Sequence, residues 1–130
     1  MIPDRYAPQA YALMRLVFGL VFLMYGLQKF GMLGGLDGKG AAAPFFSYPF
    51  GIAAIIEVVA GLMITMGLGT RFAAFIAAGE MAVAYFTRHA ATGAMLPVQN
   101  MGQPAVLFCF GFLYMVARGS GIWSIDALRK

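Results

Sequence analysis

Charge is scarce in this chain. Asp, Glu, Lys and Arg make up 11% of its 130 residues while 62% are apolar, too little polar surface to clothe a water-soluble protein of this size. Histidine and cysteine occur once each, as His89 and Cys109. One cysteine excludes an intrachain dithiol relay, and one histidine excludes bis-His haem within a single subunit. No set of His, Cys and carboxylate residues has metal-ligand spacing. The Gly-rich stretch 31–40 follows an apolar run rather than a strand, so it is no phosphate- or dinucleotide-binding loop. With no haem, metal or flavin site, any redox cofactor must be diffusible or supplied by a partner. The net charge of +4 is scattered, with no basic cluster to track phosphates, which sets nucleic acid aside.

What the chain has is apolar length. Residues 10–30, 50–67, 72–87 and 104–117 form four runs near the size of a bilayer crossing, about 20 residues at about 1.5 Å each, the last two marginal. None alternates as a barrel strand does, and backbone amides in hydrocarbon must pair within their own segment. The expectation is all-α: one domain over 1–130, a four-transmembrane-helix bundle in the bacterial cytoplasmic membrane, with the lipid bilayer as its solvent. Gly31, Gly34 and Gly35, Pro49, Gly67 and Gly69, then Pro97 and Pro104 mark the ends of the runs. The tight turn 67–71 makes spans two and three antiparallel neighbours. Arg5, Arg71, Arg118, Arg129 and Lys130 fall on one side against Lys29, Lys39 and Arg88 on the other, which predicts cytoplasmic termini. A cleaved signal peptide ending at Ala41, Ala42 and Ala43 is the rival for the first run, but the run is long and lies too far upstream.

Ionisable residues inside the runs are the candidates for function, because each costs a few kcal/mol to insert and needs a partner or a task, about 3 kcal/mol at a span centre. Glu57 lies about 10 Å below the outer boundary, with Gly61 one turn on to admit another helix. It is either a neutral acid or ion pair of structural value, or a ligand or proton group. Glu80 sits near the middle of the third span. Arg15, in the inner half of the first, is its expected counter-charge in a structural ion pair. Lys29 closes the first span with Tyr25 one turn before it, and it either pairs with Glu57 or snorkels to the surface. Arg15 and Lys29 fall within about 40° around the helix, one inward polar stripe. His89, beside Arg88 at the outer end of span three, is a boundary residue or a hydrogen-bond donor to a carbonyl. On an ideal helix it faces about 180° from Glu80, which assigns the two to different sites. The long outer connections, 31–48 and 90–103, carry Phe45, Phe46, Tyr48 and Phe50 nearby, an interfacial anchor or a lid over an outer site.

Arg15 with Gly19, Gly26 and Lys29; Ile56-Glu57 with Gly61-Leu62; Gly67-Leu68-Gly69-Thr70-Arg71; His89, Pro97 and Asn100; and Gly119-Ser120-Gly121-Ile122-Trp123-Ser124-Ile125-Asp126 together resemble the DoxX family of small bacterial membrane proteins over nearly the whole chain. Where family members often read Asn-x-Gly-Glu before the fourth span, this chain has Asn100-Met101-Gly102-Gln103. If that acid takes protons, the step is lost here, or Gln103 keeps only a hydrogen bond. The resemblance implies four membrane helices and an association with redox metabolism, including a relative that is a subunit of a thiosulfate:quinone oxidoreductase. Distant relatives of the same fold act as chaperones or cargo receptors.

Two readings follow. In the first the chain is a quinone-binding, quinone-linked subunit: Lys29, Arg88 or His89 donates to a quinone carbonyl, Glu57 handles protons, and Tyr25, Phe46, Tyr48 and Tyr85 line the ring. Having no redox centre of its own, it works beside a redox partner subunit, and a homo-oligomer is plausible on its size and its packing glycines. In the second it is a non-catalytic assembly, anchoring or chaperone-like subunit, in which Gly19, Gly26, Gly61 and Gly79 let helices pack.

Overall fold

The structure is a computed structural model and describes residues 3–130. Those residues are all-helical, without a strand, and form a bundle. Helix α1 runs Ala7–Lys29 after a 3-10 turn at Asp4–Tyr6. Its proline lies in the first turn, where the missing amide has no intrahelical partner to lose. Helix α2 (Phe50–Met66) stops at Gly67, and α3 starts three residues beyond at Thr70 and runs to Ala84. Short helix α4 (Pro97–Asn100) precedes α5 (Gln103–Arg118), and α6 (Ile125–Leu128) closes the chain. The rod Asp4–Lys29 is long and apolar enough to cross a membrane, and α2 and α5 are shorter apolar helices.

Helices therefore stand where the four runs lay, with bounds shifted by a few residues. The third departs most. It leaves α geometry at Tyr85 and continues as a π-helical turn over Tyr85–His89, then a 3-10 turn over Ala90–Thr92. The connection 90–103 is thus partly helical.

Neighbour relations are unequal: α1 packs chiefly on α2, α3 chiefly on α5, and α1 touches α5 only lightly. Glycine explains the first pairing. A β-carbon on Gly19 would come 2.6 Å from the Thr65 amide, on Gly26 2.8 Å from that of Val58, and on Gly61 2.7 Å from that of Leu23. The α1 and α2 backbones therefore meet directly, as in membrane helix pairs built on small residues. Gly79 does not belong to this set, since a β-carbon there would meet nothing within 4 Å; the position borders a cavity instead. Between α3 and α5 the closeness comes from alanine, with Ala73, Ala74, Ala77 and Ala78 buried in one cluster with Ala105, Phe112 and Met115.

At the end of the bundle that carries the termini, two motifs lock together. The Asp126 carboxylate accepts from the Gly69 amide at 2.9 Å and from the Ser120 hydroxyl at 2.6 Å, and the Asp126 amide donates to the Gly67 carbonyl at 3.0 Å. Ser120 and Thr70 hydroxyl oxygens lie 2.9 Å apart. Arg71 donates to the Val116 and Ala117 carbonyls, each at 2.6 Å, satisfying acceptors that the end of α5 leaves free. Ser124 caps α6, accepting from the Ala127 amide at 3.1 Å. The Ser120 hydroxyl first, and then the Gly69 amide, hold the Asp126 carboxyl below the usual carboxylate range.

Candidate functional site

Lys29 ends α1 and Glu57 lies midway along α2, and the glycine-mediated approach of these helices brings the two together. Lys29 Nζ donates to both Glu57 oxygens, at 2.9 and 2.8 Å, the one salt bridge among the described residues. The lysine pairs rather than snorkels. Glu57 is 3% exposed, so the ammonium supplies hydrogen bonds that water cannot.

The expected ion pair between Arg15 and Glu80 does not form. Helices α1 and α3 lie across the bundle from one another without substantial contact, and Arg15 is engaged elsewhere. Its Nη2 donates to the Trp123 carbonyl at 2.7 Å in the C-terminal segment, with the whole residue fully buried. Tyr11, one turn before it, donates to the Gly119 carbonyl at 2.5 Å. Arg15 thus holds the terminal lock against the helices. Glu80 turns the other way, to the cavity that Lys29 and Glu57 also border, and its buried Oε2 has no hydrogen-bond partner.

The assignment of His89 and Glu80 to different sites is also corrected, and the π turn is the reason. An i to i+5 turn takes up an extra residue and rotates everything after it, so that His89 and Glu80 border one cavity. His89 is fixed by its Nδ1, 3.0 Å from the Asn100 carbonyl. A carbonyl only accepts, so Nδ1 carries a proton and Nε2 is the ring nitrogen left for another partner. Asn100 organises this corner, with its amide nitrogen on the Ala94 carbonyl at 2.9 Å and the Tyr85 hydroxyl at 3.3 Å, and its Oδ1 on the Gly102 amide at 2.9 Å. Tyr85 in turn donates to the Met95 carbonyl. Asn100 enters the sequence reading only as part of a motif; that it lies three residues after Pro97 and precedes Met101-Gly102, where a turn needs a side-chain acceptor, is the available signal.

These groups surround a cavity of about 610 Å³ opening between the helices at the end of the bundle opposite the termini. Its walls are mostly apolar, including Phe22, Ile56, Phe75 and Phe108, and Lys29, Glu57, Glu80, Arg88 and His89 border it with Tyr25 and Tyr48. Tyr85 lies behind the wall, stacked on the His89 ring at 6.3 Å between centroids, and acts on the site through His89 and Asn100 rather than by lining it. Phe46 is 79% exposed and also stands outside the lining. Arg88 is drawn over the Phe50 ring, 4.4 Å from its centroid, and Lys29 lies 5.7 Å from that of Tyr25. Gln103 borders a second, apolar groove with Val17, Phe18 and Leu107 instead, so a group at that position does not reach the charged end of the main cavity.

The volume falls within the roughly 300–1,000 Å³ usual for small-molecule sites, and the lining follows their pattern of apolar walls with a few convergent polar groups. No group of three or more His, Cys, Asp or Glu among the described residues has the geometry to hold a metal ion. Comparison with known proteins supplies the rest. The DoxX family model matches residues 10–90. An uncharacterized protein of Haemophilus influenzae is 35% identical, across 95% of this chain and 92% of its own length. No solved structure matches.

Proposed function

This chain belongs to the DoxX family of membrane proteins, and from that premise we propose that it is a multi-pass bacterial inner-membrane protein whose cavity binds a quinone for a redox partner subunit. The observation that carries this reading is the convergence of the Lys29–Glu57 pair, Glu80 and His89 on one apolar cavity. A quinone needs flat apolar walls for its ring and a donor for each carbonyl. Phe22, Phe75 and Phe108 supply walls. An ammonium has three donors and Glu57 takes two of them, so Lys29 keeps one N–H for a ligand oxygen.

When bound, a quinone carries electrons and protons between enzymes; the electrons come from a redox centre on the partner. The chain's own residues do the rest. Glu57 fixes the Lys29 ammonium at the cavity wall, the apolar lining excludes water and strengthens each hydrogen bond in it, and Asn100 aims His89.

The topology proposed with it is four crossings, α1, α2, α3 with its π extension, and α5, with both termini cytoplasmic. At 17 and 16 residues, α2 and α5 span about 25 Å. That is a little short of the roughly 30 Å hydrocarbon thickness, a mismatch that local thinning accommodates. The basic residues around the terminal lock, Arg5, Arg71, Arg118, Arg129 and Lys130, support the orientation.

The test is the quinone-to-protein ratio in organic extracts of the detergent-purified protein, measured by mass spectrometry beside an unrelated four-helix membrane protein prepared identically. Enrichment is expected in the wild type and its loss in Glu57→Gln, where Lys29 is no longer anchored. A wild-type ratio equal to the control refutes the quinone reading and favours a non-catalytic assembly subunit.

A further inference from the structure

We propose that the cavity opens sideways into the bilayer between α2 and α3, through a window at Gly79, and that the isoprenoid tail of a membrane quinone leaves the site by it. The tail rests on the quinone reading of the cavity; the window stands on the geometry of the α3 face.

Gly79 lies within α3, where glycine weakens a helix relative to alanine, and nothing in its own backbone asks for it. Its φ lies outside the left-handed region, and a β-carbon there would meet nothing within 4 Å. Neither a turn nor a close helix approach therefore explains it. It is exposed and borders the cavity at once. Phe75 and Val83, one turn to either side on the same face, do likewise, at 62% and 56% exposure. In a row of bulky side chains the glycine is a notch. Ile52 of α2, 42% exposed, also borders the cavity, so the flank between α2 and α3 is where the cavity meets the outside.

The flank between α1 and α5 is filled instead. There the Phe108 ring packs against those of Phe18, Phe22, Tyr25 and Phe112, with centroids 5.4 to 6.0 Å apart. The cavity also has two chemical ends. Lys29, Glu57, Arg88 and His89 border it, whereas from Phe75 to Val83 the α3 wall runs for about 12 Å and is apolar apart from Glu80. A charged end continuous with an apolar flank fits an amphiphile, its ring carbonyls among the charges and its tail along α3. A prenyl tail of several isoprene units is longer than this wall and loses free energy wherever it meets water. It needs an exit into hydrocarbon, which the flank offers and the outer mouth, where Arg88 lies over the Phe50 ring, does not.

Gly79→Leu closes the notch without a clash, so the variant should fold as the wild type does, checked by circular dichroism and by light scattering for its oligomeric state. Both proteins are placed in lipid nanodiscs with two probes: a ubiquinone analogue carrying a diazirine on the first isoprene unit of its tail, and the tail-less ring quinone, followed by equilibrium dialysis. In the wild type the diazirine should crosslink to Ile52, Phe75 or Ile76. In Gly79→Leu that yield should fall by about tenfold or more, while the affinity for the tail-less ring, which enters from the outer mouth, stays within about twofold. Crosslinks on Val17, Val21 or Leu107 of the α1–α5 groove, or a yield unchanged in Gly79→Leu, overturn the window. So does a changed oligomeric state in Gly79→Leu, which would make Gly79 a packing glycine between copies. If the wild type binds neither quinone, the quinone reading falls, and a phospholipid with a diazirine in its acyl chain decides the window alone. Crosslinks from it to Ile56 or Glu80 that vanish in Gly79→Leu keep the window, and their absence in the wild type overturns it as well.

Discussion

Removing Lys29 should cost far more than removing the acid it pairs with, and the asymmetry follows from where each partner is left. In Lys29→Met the Glu57 carboxylate, 4% exposed in its side chain, loses both hydrogen bonds and its salt-bridge partner. Breaking a buried pair in this direction costs about 3–5 kcal/mol. Protonation of the carboxyl limits the loss, so the lower end of that range is expected. In Glu57→Gln the ammonium is left at the end of α1, 17% exposed, and its four-carbon stem lets it swing to the surface. The cost is then mainly the charged hydrogen bonds, about 1–2 kcal/mol. Once Lys29 is gone, a neutral amide in place of the Glu57 carboxylate removes the unpaired buried charge, so Lys29→Met with Glu57→Gln should be less destabilised than Lys29→Met alone.

Unfolding titrations in mixed detergent micelles, followed by circular dichroism, measure all three variants. The expected order of loss is Lys29→Met greatest, the double variant intermediate or equal to Glu57→Gln, and Glu57→Gln least. The coupling between the positions should be about 2 kcal/mol, well above the roughly 0.5 kcal/mol within which independent sites add. Simple additivity, or a larger loss in Glu57→Gln than in Lys29→Met, would show that the pair does not carry the charge balance of the cavity.

Gly67 has φ +69°, and a β-carbon there would run into Arg15 and Ser124, whereas one on Gly69, with φ +57°, would meet only the flexible end of Met63 at 3.3 Å. Gly67→Ala should therefore lose about 2–4 kcal/mol, the left-handed backbone cost plus overpacking, and Gly69→Ala only about 1 kcal/mol, in the same titrations; equal losses would contradict the packing of the terminal lock. Asp126, whose folded carboxyl is held below its unfolded range, contributes stability that is present above the unfolded value of about 4 and lost as pH falls through the folded one. The protection of the Gly69 amide, its exchange relative to an unstructured chain at the same pH, should accordingly fall at acid pH in the wild type and be low at every pH in Asp126→Asn, and pH-independent protection in the wild type would count against the lock. For the topology, a fluorescent-protein fusion at the C-terminus should glow in the cytoplasm and an alkaline phosphatase fusion at Gly38 should be active outside it; the reverse pattern would invert the orientation.

The helices are legible because a long apolar run needs no partner to declare itself, and Lys29 with Glu57 is legible as one of two outcomes because the end of α1 and the middle of α2 lie on helices that glycine lets meet. What sequence periodicity describes is the face a residue occupies on its own helix, assuming about 100° per residue; it is silent on which helices are neighbours. Both errors at the site have that origin. Periodicity separates His89 from Glu80 because the π turn at Tyr85–His89 breaks the assumed rotation. It matches Arg15 to Glu80 because the two are opposite charges inside apolar runs, although α1 and α3 make no substantial contact. The loop partner of Arg15 carries no charge at all, being the backbone carbonyl of Trp123, and no residue type announces such an acceptor. The two motif blocks at 67–71 and 119–126 stand out in the sequence as separate signatures, and only the fold shows them to be two halves of one lock.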